Sequence, residues 1–289
     1  YLVTSALTIP ADRTLTIEPG VVVKFGADDQ DLLVSGTLDL RGTPSEQIVF
    51  TSVHDDSYGG DSNGDGAGSS PAAGQWGGIK YYNPNNVLHN AVLRYGGNLR
   101  SCGTYCWSAT HMVSVVGSGV GTFEVRNSVI EHGVTSTSSY AISVSSGQTA
   151  WIHDNTISDV SNGIYLGGRG TIEGNTISDM SRYGIYLGSD EGVIRGNTVR
   201  DSLWGIYLNG MGSSIVTGNT VTGNVYPIHQ GYGDAVYSGN DFSGNTNSVL
   251  GVGGSLGQDV VWEVVQGLGM PYLVTSALTI PADRTLTIE

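Results

Sequence analysis

The feature that most constrains the fold is a short repeat in the second half of the chain. From about residue 150, four similar segments follow one another: "HDNTISDVSNGIYLGG", "IEGNTISDMSRYGIYLGS", "IRGNTVRDSLWGIYLNG" and "VTGNTVTGNVYPIHQG". Their asparagines, with one more in "YSGNDFSGN", recur at intervals of 20, 22, 22 and 21 residues, at Asn155, Asn175, Asn197, Asn219 and Asn240. A period of this length, built from short strands and turns, is typical of a solenoid.

The strand inside each repeat indicates which solenoid to expect. Side chains alternate along a strand, so in "GIYLG" Ile164 and Leu166 point to one side and Tyr165 to the other. Leucine-rich repeats have a similar length, but they need regular leucines and a helical segment, and the sequence has neither. Coils stacked about 4.8 Å apart would align equivalent residues into columns. The sequence therefore predicts an all-β fold, a parallel β-helix of about 12 coils of roughly 20–22 residues.

The asparagine column has its own physical reason. Asparagine tolerates left-handed backbone conformations, and its amide bonds readily to nearby backbone groups at a sharp corner between strands. Stacked in phase, each amide can also bond the next one. We therefore expect Asn155, Asn175, Asn197, Asn219 and Asn240 to form a structural ladder.

The composition limits which kinds of partner the chain can bind. The 289 residues include 44 glycines and only 13% charged residues, and the net charge is −14. An acidic chain argues against a nucleic-acid partner, which requires a basic surface. The sequence has no apolar run long enough to cross a bilayer, so no membrane insertion is expected in this segment.

The first third of the chain is less regular but has the same character. It contains "LTIPADRTLTIEPGVVVKF", "LLVSGTLDLRGTPSEQIVFTS" and "QWGGIKYY", with insertions near residues 54–75 and 97–110. Together with "IYLGGRGTIEGNTIS", these segments resemble the right-handed parallel β-helix repeats of secreted and cell-surface prokaryotic proteins, in the pectate-lyase-like superfamily. The resemblance covers nearly the whole chain and implies the fold. It leaves function open, because lyases, hydrolases, adhesins and inert spacers share that fold.

The insertion at 54–75 contains the motif that most clearly suggests a binding site. "DSNGDG" places Asp61, Asn63 and Asp65 at alternate positions, which is the order that opens a calcium loop. Asp55 and Asp56 lie just upstream. We therefore expect a structural Ca²⁺ site at Asp55, Asp56, Asp61, Asn63 and Asp65. The alternative is a solvated polar loop, because Asp, Asn and Gly also dominate ordinary turns and the loop lacks the usual closing glutamate.

No catalytic site is predicted, and the chain is not expected to be an enzyme. Asp159, Asp179 and Asp201 recur at one coil position, where capping of turns is the simpler reading, and Arg200–Asp201 is the best pair for a lyase. The tyrosine column, Tyr165, Tyr186 and Tyr207, has two interpretations. The rings can stack on one another, or they can contact a sugar or another fibre.

The two cysteines lie in "SCGTYCW". A lone CxxxC pair is weak for a metal or redox centre. A small disulfide between Cys102 and Cys106, in an oxidising compartment, is the expected arrangement.

Residues 272–289 repeat residues 1–18, "YLVTSALTIPADRTLTIE", letter for letter. We expect residues 1–271 to form one unit and 272–289 to begin the next identical one, stacked directly upon it. Twelve coils would span about 60 Å. The expected function is a calcium-stabilised extracellular filament or stalk at the cell surface, for adhesion or biofilm scaffolding, with further copies of itself as partners. The alternative is a secreted module that binds or cleaves polysaccharide.

Overall fold

The computed structural model describes residues 1–101, 107–109, 111–117, 119–134, 138–189, 191–210, 212–231, 233–262 and 269–289. Every regular element in these residues is a β-strand, and the strands of the long sheets pair in parallel. The described residues form no helix able to cross a bilayer. The chain winds as a right-handed parallel β-helix, so the predicted fold class is confirmed.

Each coil contributes strands to three faces in turn. The strands of face 1 are β1 Leu2–Val3, β4 Val22–Phe25, β7 Ile48–Ser52, β10 Ala91–Arg94, β15 Val129–Glu131, β18 Thr156–Val160, β21 Thr176–Met180, β24 Thr198–Arg200 and β27 Thr220–Thr222. Those of face 2 are β2 Leu7–Ile9, β5 Leu32–Val34, β8 Ile79–Tyr81, β13 Val113–Val115, β16 Tyr140–Val144, β19 Asn162–Leu166, β22 Tyr183–Leu187, β25 Trp204–Leu208, β28 Tyr226–Gln230, β30 Leu250–Ser255 and β32 Tyr272–Thr279.

Face 3 consists of one long sheet flanked by two strand pairs. The strands are β3 Thr14–Ile17 with β6 Thr37–Leu40, then β9 Val87–His89, β14 Thr122–Arg126, β17 Thr149–His153, β20 Arg169–Glu173, β23 Gly192–Arg195, β26 Ser213–Thr217 and β29 Asp234–Ser238, and last β31 Val260–Trp262 with β33 Leu286–Ile288. One described pair departs from the parallel pattern. Strands β11 Leu99–Ser101 and β12 Trp107–Ala109 form an antiparallel hairpin inside the 97–110 insertion.

The core is built from columns of identical or similar residues. On face 2, strand register places ten aliphatic side chains one above another: Leu7, Leu32, Ile79, Val113, Ile142, Ile164, Ile185, Ile206, Ile228 and Leu250. In the repeat, Ile164 and Leu166 are both fully buried, whereas Tyr165 lies on the outer side. The predicted alternation is therefore what fills the interior.

The number of coils follows from the insertions. Ten strands of face 2 precede residue 272 in the described residues, and β32 is the eleventh. Length alone suggested about 12 coils before that point. The insertions near 54–75 and 97–110 consume chain without adding a coil, so the stack up to residue 272 is about 48 Å long at the usual strand spacing.

Candidate functional site

The acidic insertion follows β7 and brings three of the five predicted metal ligands together. Carboxylate oxygens of Asp56, Asp61 and Asp65 lie within 4.8 Å of one another, and all three side chains are exposed. In the part of the chain that the structure describes, this is the one group of three or more His, Cys, Asp or Glu with such proximity. Asn63 lies beside this group and donates to Asp65, whereas Asp55 has other partners.

Asp55 points away from the cluster and into the body of the solenoid, where it is 2% exposed. Its Oδ2 accepts hydrogen bonds from Thr51 Oγ1 at 2.7 Å and from Arg94 Nη1 at 3.0 Å. The Arg94 guanidinium also lies 2.8 Å from Glu131 Oε1 on the next coil. A buried ion pair of this kind is costly to break from one side, because the remaining charge is left uncompensated. It anchors the start of the insertion to face 1.

The "DSNGDG" loop is closed by its own hydrogen bonds. The carboxylate of Asp61 accepts the backbone N–H groups of Gly66 at 2.8 Å, Gly64 at 2.7 Å and Asp65 at 3.2 Å. These donors, Gly66 foremost, hold the pKa of Asp61 below its usual value. Asn63 Nδ2 donates to Asp65 Oδ2 at 2.9 Å. Gly64 and Gly66 have φ of +73° and +65°, which explains why glycines occupy those positions.

The predicted tyrosine column runs along the outer side of face 2. Ring centroids of Tyr165 and Tyr186 are 5.4 Å apart, and those of Tyr186 and Tyr207 are 5.1 Å apart. The column continues by register to His229 at one end, 4.1 Å from Tyr207. At the other end register places Ser143 beside Tyr165, and the ring of Tyr140 from the neighbouring row lies 5.3 Å from the Tyr165 ring. The three predicted rings are half-buried and cover one another. This geometry favours self-stacking, and contact with a sugar stays a prediction.

A second aromatic row beside the column was missed by the sequence analysis. Trp204 stacks on Tyr226 at 4.4 Å, and Tyr183 lies 4.9 Å from Tyr207. The signal was present in "RYGIYL", "LWGIYL" and "VYPIHQ", where an aromatic residue precedes each column member by three positions. The two rows close the outer side of face 2 over several coils.

The asparagines predicted as a ladder lie in one column at the corner between faces 3 and 1. The Nδ2 of each donates to the Oδ1 of the next at 2.9 Å, from Asn155 through Asn175, Asn197 and Asn219 to Asn240. The same amides donate to backbone carbonyls, as Asn197 Nδ2 does to Ile172 O at 2.9 Å. A second, shorter ladder was missed. Asn224 Nδ2 donates to Asn245 Oδ1 at 3.1 Å, and the 21-residue spacing of this pair was its signal.

The recurring aspartates have left-handed backbone at or just after the ends of face 1 strands, where the chain bends. Asp159, Asp179 and Asp201 have φ of +52°, +63° and +54°, and Gly223, at the same position of the next coil, has +73°. Arg200 forms an ion pair with the neighbouring Asp201, and both side chains are about half exposed. This arrangement supports the turn interpretation. The predicted disulfide residues Cys102 and Cys106 lie outside the described residues.

The repeated terminal segment meets the coil before it on two faces. Strand β32 pairs in parallel with β30, with Leu250 opposite Tyr272 and Ser255 opposite Thr279. Strand β33 pairs in parallel with β31, with Val260 opposite Leu286. We call this contact, between residues 250–262 and 272–288, the seam. The described residues thus place the second copy directly upon the preceding coil.

These features define a class of protein: a right-handed parallel β-helix whose coils are held by aliphatic columns inside and an asparagine ladder at one corner. Residues 94–273, which are 180 of the 289, match the family described as periplasmic copper-binding protein (NosD), and the chain belongs to this family. The comparisons with curated proteins and with solved structures gave no match. The family is described as periplasmic, which agrees with the predicted location outside the cytoplasm but not with the cell surface in particular. The description mentions metal binding and no catalysed reaction.

The calcium prediction is wrong. The family to which the chain belongs is described as copper-binding, not calcium-binding. The structure also gives the motif another reason to exist, because Asp61 caps its own loop and Asp55 serves a buried ion pair. The residues of the D-x-N-x-D-G motif can close a tight turn with their own hydrogen bonds, without a metal ion.

Proposed function

We propose that the chain is a structural unit of a tandem β-solenoid, in which each unit stacks end to end on the next identical unit. The solenoid would lie on the outer side of the cytoplasmic membrane and provide reach and rigidity. The observation that carries the proposal is the seam. The second copy of the 18-residue segment continues the parallel hydrogen bonding of the preceding coil on faces 2 and 3.

Side chains at the seam support the same proposal. The rings of Trp262 and Tyr272 are stacked with centroids 4.6 Å apart and planes 9° apart. The backbone N–H of Thr285 donates to Asp259 Oδ1 at 2.7 Å. An apolar contact and a capped turn at the same junction are typical of consecutive coils rather than of two domains joined by a linker.

The seam is not identical to an ordinary coil boundary. Strand β32 runs unbroken for eight residues along β30, with a register shift between Val252 and Gly254. Gly253 lies so close to the second copy that a Cβ there would be 2.2 Å from Ser276 Oγ and 3.2 Å from Ser276 N. The absence of a side chain at residue 253 lets the two backbones approach.

The family's description raises copper as a ligand, and the described residues do not fit it. Copper prefers imidazole, thiolate and thioether donors. The one candidate cluster in the described residues, Asp56, Asp61 and Asp65, has only carboxylates. His153 has both ring nitrogens near carboxylates, with Nδ1 at 2.7 Å from Asp154 and Nε2 at 3.1 Å from Glu124. The proposal therefore assigns no copper chemistry to these residues.

Electron microscopy of arrays with two, three and four identical units tests the proposal. We expect straight rods whose length grows by about 50 Å per unit, from ten coils at the usual strand spacing. A Gly253→Val array is the matched variant, because a valine Cβ there would overlap Ser276 Oγ and press on Ser276 N, and it should introduce bends at the same interval. Wild-type arrays that appear as beads with variable separation would refute the stacking.

A further inference from the structure

The outward ring column of face 2 changes its chemistry next to the seam. Strand register places four rings one above another, namely Tyr165, Tyr186, Tyr207 and His229. The next position of the same column is Gly251, which has no side chain. A row of tyrosines therefore ends in a titratable imidazole one coil before the seam.

The second copy reaches this imidazole across the glycine. His229 Nε2 lies 3.1 Å from Thr275 Oγ1, and Thr275 Oγ1 donates its own proton to Val252 O at 3.1 Å. A hydroxyl has a single proton to donate, so Thr275 Oγ1 must accept the proton on Nε2. The contact across the seam therefore selects the neutral tautomer, with the lone pair on Nδ1.

The surroundings of the imidazole provide no charge to balance a second proton. His229 is 3% exposed, and its Nδ1 has no hydrogen-bond partner. Strand β25 presents the Tyr207 ring, stacked at 4.1 Å, and the edge of the Trp204 ring at 5.4 Å. Strand β30 presents Gly251, and β32 presents the Thr275 hydroxyl. Within the described ranges, none of these strands places a carboxylate against the imidazole.

Protonation of His229 therefore opposes closure of the seam. A proton on Nδ1 would create a buried positive charge without an acidic partner. The Leu208 carbonyl favours that proton, but burial outweighs it and lowers the pKa of His229 from 6.5 to about 4. When the seam opens, water can solvate the imidazolium and the pKa returns towards 6.5. Closure is thus fully favoured above pH 6.5 and weakens as the pH falls towards 4.

We propose that the border between two stacked units is an acid-sensitive joint, held closed by neutral His229 and loosened when the imidazole is protonated. The proposal rests on the end-to-end stacking proposed above. In an array Thr275 is Thr4 of the following unit, so every border would contain one such contact. The coils at Tyr165, Tyr186 and Tyr207 have tyrosine at the equivalent position and would stay closed, because tyrosine does not titrate in this range.

Electron microscopy of three-unit arrays at about pH 7.5 and about pH 5 tests the proposal. Ordinary carboxylates are still mostly ionised at the lower value, so general acid unfolding is avoided. We expect straight rods at neutral pH and bends about 50 Å apart in acid. The pKa values of 6.5 and about 4 limit the rise in the ratio of bent to straight borders to about thirtyfold.

Two glutamine variants separate the seam from the interior of a unit. His229→Gln does not titrate, and its amide can still donate to Thr275 Oγ1, so its arrays should show the same ratio of bent to straight borders at both pH values. His111→Gln is the matched control, because burial lowers the pKa of His111 as well, but it lies against Tyr140 inside the unit. Its arrays should bend in acid as the wild type does.

A third variant provides the missing partner for the protonated ring. Thr275→Asp, introduced at each border, places a carboxylate beside Nε2, and its rods should be at least as straight in acid as at neutral pH. Straight wild-type rods in acid would overturn the acid-sensitive joint and leave the stacking intact. Acid-induced bends that persist in the His229→Gln or Thr275→Asp arrays, or that disappear in His111→Gln, would overturn it as well. Wild-type rods already segmented at neutral pH would instead refute the stacking itself.

Discussion

The two copies of "YLVTSALTIPADRTLTIE" have the same residues and different structures. In the first copy Ile9 and Ile17 are 4% and 7% exposed, because the next coil covers them, whereas Tyr1 is 87% exposed. In the second copy the pattern reverses: Ile280 and Ile288 are 48% and 70% exposed, and Tyr272 stacks on Trp262. Side chains of one coil are therefore buried by the coils next to it.

The pairing differs as well. In the first copy Leu2–Val3 joins face 1 and Leu7–Ile9 joins face 2 as two separate strands. In the second copy the equivalent residues merge into Tyr272–Thr279, which follows β30 for its whole length. Identical local sequence therefore permits both arrangements, and the adjacent coil selects between them. This is the behaviour expected of a quasi-one-dimensional fold.

The largest loss of folding stability should come from the asparagine ladder. There, an asparagine with a ladder neighbour on both sides can be compared with the terminal one. Asn197→Ala removes an amide that donates to Ile172 O, Arg195 O and Asn219 Oδ1. We expect a loss of about 3–5 kcal/mol in unfolding free energy, because several buried groups lose their partners. Asn240→Ala, at the half-buried end of the ladder, should cost about half as much. Equal losses in chemical denaturation would show that neighbouring coils contribute little.

The next largest loss of stability is expected from the same isoleucine truncated in each copy of the 18-residue segment. Ile9→Ala truncates a buried side chain and should cost about 2–4 kcal/mol. Ile280→Ala makes the same change in the same 18-residue context, yet its side chain is about half exposed, so we expect less than about 1 kcal/mol. Chemical denaturation of both variants measures the difference.

An array of two units sharpens this prediction. There the coil that follows the second copy covers residue 280, and the cost of Ile280→Ala should rise to that of Ile9→Ala. If the cost at residue 280 stays small in the array, the second unit does not stack on the first.

These contrasts explain what the sequence could predict. The alternation in "GIYLG", the asparagine period and the outward tyrosines depend on contacts between equivalent positions of adjacent coils, so a repeat is enough to reveal them. Asp55 shows the limit. Its partner Arg94 lies 39 residues away, and only the stacking of β7 beside β10 brings the two together. From the neighbouring sequence alone, the Asp55 carboxylate was predicted to be a metal ligand.

The seam shows a second limit. The copied segment predicted stacking, but a merged strand along β30 depends on the glycines of "GVGGS", which permit a register shift.

The most local effect is a pH dependence that separates the seam from an interior coil. His229 is buried between the Tyr207 ring and the second copy, with its Nε2 3.1 Å from Thr275 Oγ1. Burial lowers the pKa of His229 from 6.5 to about 4, against a smaller opposing effect of the Leu208 carbonyl. The folded chain therefore binds fewer protons than the unfolded chain between these values. The stability that depends on neutral His229 is complete above pH 6.5 and is lost as the pH falls towards 4.

Hydrogen exchange at residues 272–279 follows this loss locally. Between pH 6.5 and 4 we expect the protection of the seam to fall, after correction for the intrinsic pH dependence of exchange. His229→Gln should remove most of the pH-dependent part. His111 is the interior counterpart, because burial lowers its pKa to about 4 as well and it lies against Tyr140, far from the seam. His111→Gln should therefore leave exchange at 272–279 unchanged. If instead His111→Gln removes the acid sensitivity of the seam and His229→Gln does not, the two copies differ for a reason other than the coil that covers them.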